Sequence, residues 1–180
     1  MRFTMFCISF LIFPLVFALK HEYSQTGYKF QIHHGIPEDF NPNLVADYTF
    51  GYNKYNRSTR AFNLGVRFLK KIDSVTVLME TAKFINNQFR EFVPLNLMFN
   101  ICAAMKSELF GIKTLLKYGN LTTCPFEKGY YVMRNFVVDD SLFLPNIPLG
   151  QYKFTLTFST HEKLLIKYSF VAELKNRKYV

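Results

Sequence analysis

The chain has 180 residues, of which 49% are hydrophobic and 19% are charged, a composition that supports one packed domain and excludes collagen-like, low-complexity and disordered classes. Twenty-two basic residues against 13 acidic ones give a net charge of +9, which favours anionic partners. The three cysteines are too few for a disulfide-dense miniprotein, while 21 Phe and 11 Tyr make the chain unusually aromatic.

The first residues have the pattern of a secretory signal peptide. Arg2 is followed by an apolar stretch from Phe6 to Phe17, and Ala18 supplies the small residue before a cleavage site. We therefore predict a signal peptide over residues 1–18 and a single secreted, extracellular domain over residues 19–180. A membrane anchor is the alternative interpretation, but Pro14 interrupts the stretch and its length is marginal for a span.

The cysteines and sequons fit the same compartment. Cleavage removes Cys7 and leaves an even pair, Cys102 and Cys124, which in an oxidising compartment predicts a disulfide. Two buried free thiols are the alternative. Asn56 and Asn120 each begin an N-x-S/T sequon in turn-like sequence, so both are predicted glycosylation sites.

Most of the mature chain alternates apolar and polar residues with the period of β-strands. The strands are short and are separated by turn residues, as in antiparallel hairpins. Roughly seven to nine such strands predict a mainly β fold, a two-layer antiparallel β-sandwich. Two strands carry the inward-facing series: Phe62, Leu64, Val66 and Phe68 in the first, and Tyr152, Phe154, Leu156 and Phe158 in the second.

One helix interrupts the strands. Apolar residues between Met98 and Leu116 recur at spacings of three and four, which predicts an inserted helix near residues 97–117. A lipocalin barrel is the alternative β architecture, but it ends with its helix, so the mid-chain position favours the sandwich. Cys102 lies on the apolar stripe, so a bridge to Cys124 would hold the helix against the sheet.

The sequence contains no recognisable catalytic or metal site. It has no G-x-S-x-G elbow, no Gly-rich phosphate loop and no H-x-x-x-H helix. His33 and His34 are adjacent, so on a strand they face opposite sides. We predict a protein that is not an enzyme and uses no metal or cofactor. Its basic residues are scattered, which argues against nucleic acid and favours at most peripheral membrane contact.

The aromatic interior is the strongest functional indication in the composition. Rings are large and stiff, and they can line an apolar cavity that binds hydrophobic molecules by burial, worth about 25 cal/mol per Å². Dense aromatic packing without a cavity explains the same composition. The candidate cavity residues are the eight inward-facing positions, Phe62, Leu64, Val66, Phe68, Tyr152, Phe154, Leu156 and Phe158.

A pattern around the second cysteine resembles a known family. Cys124-Pro125-Phe126-Glu127-Lys128-Gly129-Tyr130-Tyr131 is followed by Pro148-Leu149-Gly150-Gln151-Tyr152. This resembles the insect CheB-like family of unknown function, which is similar to the ganglioside-activator and ML lipid-recognition proteins, over roughly residues 27–175. The resemblance implies an immunoglobulin-like, ML-type sandwich that holds a lipid between its sheets, and a chemosensory role.

The resemblance also matches Cys102 and Cys124 to the bridge between helix and strand in that family. The chain departs from it in two respects: relatives often carry further disulfides, and Asn100 stands where Asp is expected. We therefore expect looser binding or a different ligand.

These observations lead to one main functional hypothesis. The protein is predicted to be a secreted, non-enzymatic carrier that binds a lipid or another hydrophobic small molecule in an apolar cavity between two sheets, with a cell-surface receptor as a further partner. The alternative is a secreted adaptor that binds a receptor or another extracellular protein through its surface. An unrecognised hydrolase is the third hypothesis.

Overall fold

The computed structural model describes residues 24–55, 60–106 and 112–179. The predicted signal peptide and the first sequon residue, Asn56, lie outside the described residues, so both stay predictions. Within the described ranges the chain forms nine strands, β1 to β9. Their bounds are Tyr28–Phe40, Val45–Lys54, Arg60–Phe68, Thr76–Ile85, Gln88–Glu91, Leu97–Asn100, Gly129–Phe136, Gly150–Thr160 and Lys163–Asn176.

The strands build two antiparallel sheets. The large sheet has the order β1-β9-β8-β4-β5, and β6 pairs with β4 alongside β5. The small sheet has the order β2-β3-β7. The predicted mainly β, two-layer antiparallel sandwich with an inserted helical segment is therefore confirmed. Alternation of apolar and polar residues produces it, because each strand has one face against the other sheet and one against water.

The helical segment is shorter than the sequence pattern predicts. Residues Leu97–Asn100 form strand β6, which pairs with Thr76–Met79 of β4. Helix α1 then covers Ile101–Lys106, and α2 covers Ile112–Leu115. The predicted helix start at residue 97 is thus four residues too early. The backbone groups of β4 need a neighbour on that side, and pairing with β6 satisfies them.

Strand β1 extends further than its sequence suggests. Gly35 and Pro37 read as strand terminators, yet β1 continues to Phe40 with register shifts at two points. Because β1 is at the edge of the large sheet, a proline can be accommodated without breaking an internal ladder. Gly35 has a second role: a Cβ at this position would lie 1.5 Å from the hydroxyl oxygen of Tyr168, which is almost fully buried.

We expect Gly35→Ala to destabilise the fold by about 1–3 kcal/mol, the usual cost of overpacking a filled interior. The Tyr168 ring cannot give way easily because it stacks on Phe50 with ring centroids 4.0 Å apart. Urea denaturation measures the change. Gly51→Ala is the matched control, because no atom lies within 4 Å of a Cβ there. Equal midpoints for the two variants would contradict the close contact.

The predicted disulfide is present between Cys102 in α1 and Cys124 ahead of β7, with an S–S distance of 2.08 Å. It joins the helical segment to the chain that enters the small sheet. Next to it, Phe126 exchanges backbone hydrogen bonds with Ile72 in the link between β3 and β4, at 2.8 and 2.9 Å. The bridge therefore closes one end of the sandwich.

Replacing Cys102 and Cys124 together by Ser should lower the free energy of unfolding by about 3 kcal/mol. The bridge joins cysteines 22 positions apart and so restricts the unfolded chain. Its loss gives the unfolded state more conformational entropy, which lowers the free energy of unfolding. Denaturation with and without a reducing agent measures the effect. The wild-type protein should lose the same amount on reduction, while the double variant should not respond.

Candidate functional site

The interior between the sheets is divided into two hydrophobic clusters. We call them the aromatic cluster and the helix-end cluster. Buried members of the aromatic cluster are Tyr28, Ile32, Phe62, Leu95, Tyr152, Phe154, Tyr168, Phe170, Ala172 and Leu174. Buried members of the helix-end cluster are Val45, Val66, Phe68, Ile72, Val75, Phe126, Leu165 and Ile166.

Aromatic rings join the two sheets within the aromatic cluster. Phe62 of β3 meets Phe170 of β9 edge to face, with ring centroids 6.0 Å apart. Phe50 of β2 stacks on Tyr168 of β9. On the large sheet, Phe154 stacks on Phe170 at 5.1 Å. Such pairs add about 0.5–1.5 kcal/mol each beyond their buried area, so this half of the interior is well fixed.

Four inward-facing apolar side chains of the two sheets are only half-buried. Met79 of β4 is directly opposite Leu156 of β8 in the large sheet, and Leu64 of β3 is opposite Met133 of β7 in the small sheet. Met79, Met133 and Leu156 pack against the aromatic cluster, yet each of the four side chains keeps solvent-accessible surface. We call this half-buried apolar region the central gap.

Sheet sizes explain the central gap. The small sheet has three strands and the large sheet has five in its main path, so the small one cannot cover the whole large one. Strands β2 and β3 supply the rings over β9. Strand β7 is the small sheet's edge, and it faces the β8 and β4 side of the large sheet. Because only β7 covers the β8 and β4 side, the interior is less protected from water there than under β2 and β3.

The eight residues predicted to line a cavity all lie on inner faces. Five are buried, namely Phe62, Val66, Phe68, Tyr152 and Phe154. Leu64, Leu156 and Phe158 are half-buried. Of the eight, Leu64 and Leu156 are the ones at the central gap, and most of the others belong to the packed clusters. Met79 and Met133 were missed, although the alternation of Val77, Met79 and Thr81 could have indicated the former.

Among the described residues, no charged side chain is buried, and two tyrosine hydroxyls of the aromatic cluster bond to backbone. The Tyr28 hydroxyl donates to the carbonyl of Leu144 at 2.7 Å, and the Tyr152 hydroxyl donates to that of Pro148 at 2.5 Å. Burial raises the pKa of both Tyr28 and Tyr168 to about 12. The raised pKa values reflect how far burial disfavours a charged phenolate at these positions.

A polar groove of about 230 Å³ lies on the opposite, outer face of the large sheet. Glu38 is its centre: it accepts a hydrogen bond from Ser169 and contacts Lys153 and Lys167 at 3.3 and 3.2 Å. The Ser169 hydrogen bond, with help from the two lysines, holds the pKa of Glu38 below its ordinary value of 4.5. The single carboxylate of Glu38 pairs with both lysines, and these contacts join β1 to the two central strands.

Two further polar residues, His33 and Asp140, have structural partners. His33 meets Glu173 at 2.9 Å. Asp140 binds Arg177 at 2.5 Å and accepts the backbone N–H of Phe30 at 2.8 Å. Across residues 24–55, 60–106 and 112–179 we find no group of three or more His, Cys, Asp or Glu arranged for a metal ion.

The second sequon residue, Asn120, is exposed and bound to the small sheet. Its amide donates to the carbonyl of Tyr130 at 3.0 Å and accepts the N–H of Val132 at 2.7 Å. It thereby attaches the end of the helical segment to β7. Glycosylation at this position stays a prediction.

Comparison with known proteins gives two similarities. Residues 74–154, less than half of the chain, match the family model described as "Protein of unknown function (DUF1091)". The chain is also similar to the crystal structure of chicken MD-1 complexed with lipid IVa, at 15% identity. That similarity covers 83% of this chain and 98% of MD-1, with a TM-score of 0.41, which is too low to transfer a function. No curated protein matches the chain.

The described segments contain no helix that combines the length and the apolar character needed to cross a bilayer.

The Glu38 contacts predict a contribution to the free energy of unfolding that depends on pH. Because the folded-state pKa lies below the unfolded value, the contribution is present above about pH 4.5 and is lost as the pH falls through the folded pKa. Glu38→Gln should therefore lower the urea midpoint at neutral pH and have little effect at about pH 3. Glu162→Gln, at the exposed β8–β9 turn, is the control and should change neither midpoint. A pH-independent loss in Glu38→Gln would contradict this interpretation.

Proposed function

We propose that this protein is a secreted, non-enzymatic carrier that binds a lipid or another hydrophobic small molecule between its two sheets, at the central gap. The observation that supports the proposal is the half-buried state of Leu64, Met79, Met133 and Leu156 on facing inner surfaces. Four apolar side chains left accessible between two sheets favour an apolar guest, which would remove this surface from water.

The aromatic cluster contributes to the shape of the proposed site. Met79, Met133 and Leu156 pack against the aromatic cluster, so the rings of that cluster would form one wall of the proposed site. A guest would therefore enter between β4 and β7, the side on which the small sheet ends. Met79 and Met133 suit a variable apolar guest, because an unbranched thioether adapts its conformation more readily than a branched side chain.

Secretion is supported by the Cys102–Cys124 bridge, since disulfides persist in oxidising compartments. We propose cleavage after Ala18 and one domain over residues 19–180, with Asn56 and Asn120 available for glycosylation. The chemosensory role implied by the family resemblance belongs to this proposal and needs a ligand to test it. No residue arrangement in the described ranges favours catalysis, so the carrier is proposed as non-enzymatic.

A matched pair of Leu→Phe variants tests the central gap. Leu156→Phe adds a ring where side chains are half-buried, so we expect it to change stability by less than about 1 kcal/mol and to weaken binding of a fluorescent fatty-acid probe at least tenfold. Leu165→Phe adds the same ring where the leucine is 1% exposed, and it should cost about 1–3 kcal/mol.

Thermal unfolding and probe titration on the same samples separate the possibilities. Equal destabilisation by the two variants would show a filled centre. Normal probe uptake by Leu156→Phe would place the guest elsewhere. Organic extraction of purified protein, followed by mass spectrometry, should recover a co-purifying hydrophobic molecule from the wild type and less from Leu156→Phe. An apo protein that takes up no probe would favour the adaptor hypothesis.

A further inference from the structure

One end of the sandwich exposes several large apolar side chains, and we call it the hairpin end. It comprises Phe84, Ile85 and Phe89 of the β4–β5 hairpin together with Leu144 and Leu149 of the loop before β8. Each of these side chains is roughly 40–50% exposed. Single exposed hydrophobic residues are common on protein surfaces, but a group at one end of a domain marks an interaction site.

Strand register places these residues at one end of the large sheet, with Leu144 on the β1 side and the others near β4 and β8. Lys83 pairs with Tyr152, so the chain beyond Lys83 in β4 runs alongside the start of β8. The Tyr152 hydroxyl holds the carbonyl of Pro148, which fixes Leu149 next to the hairpin. The Tyr28 hydroxyl likewise holds the carbonyl of Leu144 at the start of β1.

The hairpin is apolar on both of its faces. Phe84 and Phe89 are opposite each other on one face, with ring centroids 5.1 Å apart. Ile85 follows Phe84 along the strand and so projects from the other face. The turn residues Asn86 and Asn87, with φ of 51° and 62°, are uncharged. A flat protein surface could cover one face only, whereas the interface of a lipid bilayer surrounds an inserted tip.

Charge favours an anionic bilayer. Lys83 and Arg90 are a cross-strand pair immediately behind the tip, and Lys178 is exposed after β9, which ends on the same side of the sheet. The whole chain carries +9. Lys83 is three positions before the first turn residue, Asn86, or about 10 Å along the strand, which matches the 5–10 Å depth of interfacial insertion. Lysine and arginine at that distance would lie at the level of the headgroups.

We propose that the hairpin end docks on a lipid bilayer with anionic headgroups, inserting Phe84, Ile85 and Phe89 while Lys83 and Arg90 contact the phosphates and carboxylates. This docking goes beyond the carrier function and does not depend on a guest in the central gap, which lies between the sheets and not at their end.

The absence of tryptophan from the chain allows a site-specific test. Ile85→Trp puts one fluorophore at the tip, and Met98→Trp puts one at another exposed position on the large sheet, away from the hairpin end. With vesicles of phosphatidylcholine containing roughly one-third phosphatidylserine, Ile85→Trp emission should shift to the blue and Met98→Trp emission should not. Pure phosphatidylcholine vesicles should produce a much smaller shift.

Vesicle co-sedimentation supplies the second measurement, with thermal unfolding as the check that each variant is folded. Ile85→Asp should weaken binding to the anionic vesicles at least about tenfold, while Met98→Asp, which makes the same change in charge, should leave it within about twofold. Arg90→Gln should weaken binding about fivefold and reduce its dependence on salt.

Any of three results would overturn the proposal. The wild-type protein could fail to bind anionic vesicles, the two tryptophan variants could show equal blue shifts, or Ile85→Asp and Met98→Asp could lose equal amounts of vesicle binding. Self-association that requires Ile85 and persists without lipid would assign the hairpin end to a second copy of the chain. If fatty-acid uptake is normal while vesicle binding fails, docking alone is wrong, and the reverse pattern refutes only the carrier function.

Discussion

The sandwich depends on aromatic rings that join a three-stranded sheet to a larger one. Phe62 on Phe170 and Phe50 on Tyr168 are two of the contacts that cross between the layers, and Phe40 on Tyr48 is another. Rings of this size suit the spacing of about 10 Å between packed sheets, and their buried area supplies the main stabilising free energy. Gly35 provides room for Tyr168 on the side facing β1. The positions of the other strands in the two layers follow from these contacts.

The two sheets differ in size, and the proposed binding site depends on that difference. Rings fill the interior where β2 and β3 cover β9, whereas Leu64, Met79, Met133 and Leu156 remain half-buried where coverage falls to β7. At the far end the Cys102–Cys124 bridge and the Ile72–Phe126 backbone pair keep the helical segment and β7 attached to the link that leads into β4.

Among the described residues, the charged side chains lie on the outer surface, where several of them form ion pairs. On the outer face of the large sheet, Glu38 joins Lys153 and Lys167, while His33 and Lys175 share Glu173. These pairs use up much of the local acidic charge. At the hairpin end, by contrast, Lys83 and Arg90 lie next to the apolar residues Phe84, Ile85 and Phe89. The molecule thus combines an apolar interior, a largely neutralised sheet face and one basic, apolar end.

Local patterns in the sequence determined much of this molecule. Period-2 alternation identified the β-sandwich and placed all eight cavity candidates on inner faces, and an even cysteine count identified the Cys102–Cys124 pair. Both are local properties: an alternating strand needs one apolar layer wherever it packs, and two cysteines in an oxidising compartment pair with each other. Spacings of three and four also located the helical segment, though Leu97–Asn100 became a strand because β4 offered a partner for its backbone.

Tertiary structure alone decided which inward-facing residues are packed and which border the central gap. Leu156 and Phe154 are equivalent in the alternation, but Phe154 is buried and stacks on Phe170 of β9, while Leu156 is half-buried at the margin of the aromatic cluster. That distinction depends on the number of strands in each layer and on their lateral offset, which are long-range properties of strand pairing. The clustering of Phe84, Ile85 and Leu149 likewise arises only when β4 and β8 pair, because residues more than sixty positions apart are brought to one end.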